Sequence, residues 1–190
     1  MARAWQALLI GSTLAYSWLA MMVVHEFGHC LHLWFSGGSV GQVVLHPLVI
    51  SRTDPHDNPH PLFVAWGGAV WGCLLPVLGW AAANVVRWRF WYLARFFAGF
   101  CLIANGAYLL LGAFDPVGDA RDLLRLGAPR WTLQLFGIVA WGLGLALWHR
   151  LGPHFGLNQR PPQVDRAAAL AVTVALVLLI AAELIWGRSE

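Results

Sequence analysis

Five apolar stretches, at residues 4–34, 62–86, 96–114, 131–148 and 167–186, approach or exceed the roughly 20 residues that a helix needs to cross a bilayer core of about 30 Å. The pattern leaves little choice of fold: an all-α polytopic membrane protein with about five transmembrane helices is expected. Composition agrees, because 59% of the residues are hydrophobic, 11% are charged and the mean hydropathy is +0.63, so the average residue prefers hydrocarbon to water. Trp5, Trp34, Trp88, Trp91, Trp131, Trp148 and Trp186 stand at the ends of the stretches. Their apolar rings and water-seeking N–H groups suit them to membrane interfaces.

The first stretch, with Arg3 ahead of it, has the outline of a secretory leader. It runs without a small-x-small cleavage site into His25-Glu26-Phe27-Gly28-His29, however, and is expected to be retained. All 12 basic residues are arginines, the net charge is only +3, and they sit singly or in threes between spans rather than in one stripe. That gives nucleic-acid binding no support. Cys30, Cys73 and Cys101 lie within or beside apolar spans with no C-x-x-C spacing, and read as small buried residues.

Between the first two spans, residues 41–50 (GQVVLHPLVI) alternate loosely around β-branched side chains, and a polar, proline-rich SRTDPHDNPHP follows. The pattern predicts a short hairpin and then a loop. Gly67, Gly68, Gly72 and Pro76 in the second span would let a neighbouring helix approach closely. Residues 115–130 are too polar for lipid, and Asp119-Ala-Arg-Asp122-Leu-Leu reads as a short, capped amphipathic helix at the membrane surface. Residues 150–165 read as a solvated connector, and no internal repeat is visible.

In a helix, His25 and His29 stand one turn apart on one face, so both imidazoles can reach one metal ion, with Glu26 beside them directed at a metal-bound water. The chemistry requires these residue types. Neutral imidazoles hold zinc and leave a position open, zinc acidifies the water, and a carboxylate takes its proton. An HExxH match in a soluble protein carries modest weight. Here two histidines and a glutamate lie in a span, where each ionisable group costs roughly 2.5 kcal/mol or more without a partner. An interhelical hydrogen-bonding clasp would be a wasteful use of all three.

Two histidines and a water leave tetrahedral zinc one ligand short. The topology returns the end of the third span, GAFDPVGDARD, to the side of the motif, which brings Asp115 and Asp119 within reach. Asp119 follows Gly118, precedes the small Ala120 and opens a helix that Leu123 and Leu124 can anchor; its plainer role is an N-cap with Asp122 at the third position. Asp115 precedes Pro116, which biases it toward an extended turn. Asn105, mid-span in IANGAYLLL, either pins helices together or points at the centre to bind a substrate carbonyl or oxyanion. His32 lies about 10 Å along the helix from His25, too far to share one ion easily. His46, His56 and His60 fall in or beside the polar loop and read as solvated.

These residues resemble the site-2 protease family of intramembrane zinc metalloproteases: HEFGH in a span, a glycine-rich span after it, and Asn105 in a span that ends near an aspartate. The resemblance covers residues 1–127. It implies a three-helix catalytic core within residues 1–130, with 131–190 adding two helices to the same domain. It further implies one Zn²⁺ held by His25, His29 and Asp119, Glu26 as the base and Asn105 in a catalytic role. Residues 41–50 resemble the family's membrane-associated β segment, which could pair with an unwound substrate by strand addition. The family often reads Asn-x-x-Pro followed by Leu-Asp-Gly, where this chain has Asn105-Gly-Ala-Tyr108 and Gly118-Asp119-Ala120.

The expectation is therefore a multi-pass zinc endopeptidase of a bacterial cytoplasmic membrane, acting on transmembrane protein substrates. Two alternatives stand beside it: a metal transporter, which has no evident need for Glu26, and an inactive zinc-binding scaffold.

Overall fold

A computed structural model describes residues 1–186. The chain forms α1 (Ala2–Phe35), β1 (Ser39–Val44), β2 (Arg52–Asp57), α2 (Pro61–Val85), α3 (Trp91–Gly112), α4 (Gly118–Arg125), α5 (Arg130–Trp148), a 3-10 turn (Gly152–Phe155) and α6 (Arg166–Trp186). All but α4 among the six α-helices are long and apolar enough to cross a membrane. They follow the expected stretches to within a residue or two at most ends. The exception is α3, which begins five residues before residue 96, because Arg95 is accommodated inside it. The Arg95 guanidinium donates to the His149 carbonyl at 3.2 Å and lies 6.0 Å from the centre of the Trp91 ring.

The long helices stand in a curved row, α6, α1, α2, α3, α5, each packed chiefly on its neighbours. At the α1–α2 crossing Gly28 faces Gly67 so closely that a Cβ on Gly28 would collide with the Gly67 carbonyl. This approach sets the spacing on which the site depends. α1 and α6 run parallel: Ser12 Oγ lies 2.8 Å from Thr173 Oγ1, and the Arg166 guanidinium lies 5.7 Å from the Trp5 ring centre. At the opposite end from the histidines, Arg89 clasps Asp165 at 2.8 Å and Gln6 donates to the Phe155 carbonyl at 3.0 Å.

The hairpin after α1 is present, but its second strand falls where a loop was expected. β1 and β2 pair antiparallel, with Val43 opposite Thr53 and Val44 opposite Arg52, and the apolar residues 45–51 form the connection. The sequence of β2, RTDPHD, lacks strand character because its side chains answer to local partners. Ser51 and Thr53 turn to Glu26, and Arg52 donates to Asp54 at 2.9 Å. Pro55 lies opposite Val40, beside two register shifts, where a missing N–H disturbs the ladder least.

Candidate metal centre

His25 and His29 project from one face of α1, as their spacing requires. Outer partners fix each ring. His25 Nδ1–H donates to Asn105 Oδ1 at 2.7 Å, and His29 Nδ1–H donates to the Val64 carbonyl at 2.9 Å. The Asn105 amide is oriented in turn, because its Nδ2 donates to the Cys101 carbonyl at 2.9 Å, leaving Oδ1 for the ring. With Nδ1 carrying the proton, each neutral imidazole presents its Nε2 lone pair inward.

Asp119 Oδ2 meets those lone pairs, 2.8 Å from His25 Nε2 and 3.3 Å from His29 Nε2, and the two Nε2 atoms are 3.3 Å apart. Three electron-rich atoms converge with no hydrogen between them unless a ring takes a second proton, so a cation satisfies the arrangement. Bonds of about 2.0–2.1 Å to a tetrahedral ion place ligand atoms roughly 3.3 Å apart, close to the spacing here. Among the described residues, this is the one group of three such side chains that could hold a metal ion.

The α3–α4 connection delivers Asp119 in a way the sequence did not suggest. The residue capping α4 is Val117, with no side-chain cap bond, and Asp119 lies inside the first turn with its carboxylate turned to the histidines. Its backbone N–H donates to Tyr108 Oη at 2.8 Å. Gly118 adopts φ +49°, and a Cβ there would strike the same hydroxyl, so the turn is shaped around Tyr108. Leu123 and Ala120, both fully buried, anchor α4 from below. Tyr108 lies one turn from Asn105 on the same helix, the signal that could have singled it out.

Asp115 is exposed and lies outside the group. Asn105 enters the site through His25, with both ends of its amide engaged. His32 donates from Nδ1 to the Phe63 carbonyl at 2.6 Å and stacks on the Phe63 ring at 3.9 Å, joining α1 to α2 away from the ion site. His56 and His60 are exposed and His46 half-buried, none within the group. Glu26 is buried, and both of its carboxylate oxygens accept hydroxyl hydrogen bonds from the hairpin, from Ser51 and Thr53. Neither hydroxyl was recognised as a site residue in the sequence.

The site opens into a cavity of about 1110 Å³ between α1, the hairpin, α3 and α4. Trp18, Met22, Ala104 and Leu111 contribute to its apolar lining, and Arg52 and Arg125 to its polar lining.

The ligand assignment carries its own test. Asp119→Ala is expected to lose bound metal, whereas Asp115→Ala keeps it; metal content of the two purified proteins decides. Metal retained in Asp119→Ala and lost from Asp115→Ala would reverse the assignment. Neither a known protein family, nor a curated protein, nor a solved structure matches the chain.

Proposed function

We propose that this protein is a multi-pass intramembrane zinc endopeptidase, similar in its catalytic core to the site-2 proteases, which hydrolyses peptide bonds in transmembrane protein substrates. The observation that carries the reading is the convergence of His25, His29 and Asp119 beside the buried Glu26, within helices long and apolar enough to span a bilayer.

His25, His29 and Asp119 would hold the ion, and the set of two imidazoles and one carboxylate, leaving a fourth position free, suits catalytic zinc. Zinc, when bound, supplies Lewis acidity that lowers the pKa of a ligated water toward about 7. Glu26 takes the proton of the attacking water and passes it to the leaving amine, so no covalent enzyme intermediate is required. Asn105 and the Val64 carbonyl keep the two rings in the ligating tautomer. The cavity provides room for an unwound substrate segment between α1 and α3, beside the hairpin.

The test is reconstitution in vesicles with candidate membrane substrates, chosen by comparing membrane proteomes of cells that hold the active protein or a Glu26→Gln variant. The expected result is one zinc per chain, cleavage abolished by chelation and restored by added Zn²⁺. Zinc flux into the vesicles without cleavage would establish a transporter instead, and bound zinc with neither cleavage nor flux a scaffold.

A further inference from the structure

Glu26 sits on α1, but α1 does not hold its carboxylate. Ser51 Oγ donates to Oε1 at 2.7 Å and Thr53 Oγ1 donates to Oε2 at 2.7 Å. The two donors stand two residues apart, Thr53 in β2 and Ser51 just before it, and both turn to Glu26, while Arg52 and Asp54 between and beyond them pair with each other at 2.9 Å. A glutamate side chain has several rotatable bonds, and its helix fixes only the first with any strength. Fastening each oxygen separately removes the remaining freedom and fixes the plane of the carboxylate. Glu26 is only 3% exposed, and among the described residues these two hydroxyls are the side chains to which it is hydrogen-bonded.

Resting on the reading of Glu26 as the general base, we propose that Ser51 and Thr53 are positioning residues for the reaction, a hydroxyl clamp that aims the Glu26 carboxylate from the hairpin. The clamp ties the base to what occupies the cavity, since residues 50–55 line it. A substrate that shifts β2 shifts the base with it. Neither residue is a member of the His25, His29 and Asp119 group, so the clamp acts on turnover and leaves metal binding alone.

The experiment uses the full chain in vesicles, with Thr53→Val (same shape, no hydroxyl), Thr53→Ser (hydroxyl kept), Ser51→Ala and the Ser51→Ala/Thr53→Val pair. Zinc content, kcat and KM are measured for each, and Thr53→Val is repeated in a Glu26→Ala background. Small misplacements of catalytic groups cost on the order of 100-fold, so kcat is expected to fall about 10-fold to 100-fold in the pair. Zinc stays at one per chain, KM is unchanged, Thr53→Ser turns over near the wild-type rate, and Thr53→Val adds no loss once Glu26 is gone. Thr53→Ser as slow as Thr53→Val, zinc lost with activity, or a full-rate double variant would each overturn the clamp while leaving the peptidase reading intact. A wild-type protein that binds zinc and cleaves nothing overturns both.

Discussion

Glu26→Gln is expected to keep one zinc per chain and to lose about 10²–10⁴-fold in proteolysis, the range that general-base catalysis typically contributes. The separation follows from geometry. The ion-holding atoms belong to His25, His29 and Asp119, and their outer partners to Asn105 and Val64, so exchanging a carboxylate oxygen for an amide on Glu26 removes none of them. The amide has nearly the same shape and can still accept one hydroxyl, which keeps the hairpin in place. What it lacks is a basic oxygen. Metal content and cleavage rate measured on the same preparation separate the two effects, and cleavage near the wild-type rate would sink the mechanism.

Gly68→Ala is expected to abolish metal binding although Gly68 ligates nothing. A Cβ at this position would collide with Nε2 of both His25 and His29, the two atoms that must meet the ion. Widening the crossing of α1 on α2 to make room would give up the backbone-to-backbone contact of Gly28 with Gly67 one residue away, so the imidazoles are the groups expected to move. Loss of an outer partner of a metal ligand typically costs 10–100-fold in affinity, and displacing two ligand atoms together is expected to cost at least about 100-fold. Gly79→Ala, on the same helix, provides the control: among the described residues nothing lies within 4 Å of an added Cβ, so metal and activity should be unchanged. Chelator competition on the two folded variants gives the answer, and wild-type affinity in Gly68→Ala would mean that the rings have a second way to converge.

The long helices were legible in the sequence because length and apolarity are local properties, written into each stretch independently. The start of α3 was not, since Arg95 looks like a terminator until its partner His149, 54 residues away, is known. The same reason hid β2, in which Thr53, with Ser51 just before the strand, serves Glu26 across 27 and 25 residues of chain. The spacing of His25, Glu26 and His29 named half the site because an α-helix turns residue numbers into geometry. Asp119 followed from counting helix directions. Tyr108 offered only its place one turn from Asn105, as its hydroxyl serves a backbone N–H, and the Val64 carbonyl that orients His29 is a group every residue possesses.

The parallel register of α1 and α6 fixes a depth. Ser12 meets Thr173 and Trp5 meets Arg166, each pair 161 residues apart, and the same offset brings Trp186, the last residue of α6, level with His25. With 21 residues, α6 is about 32 Å long, close to the roughly 30 Å of bilayer hydrocarbon, whereas α1 with 34 residues reaches about 51 Å and overshoots. With α6 spanning a bilayer from end to end, His25 would lie where hydrocarbon gives way to head groups, far from the midplane. On the peptidase reading, water for hydrolysis would arrive from the adjoining interface with no need of a long channel. On the same reading a client helix would be met at its end, in the turn where carbonyls or N–H groups already lack intrahelical partners, so exposing one peptide bond there would break fewer hydrogen bonds than at its centre.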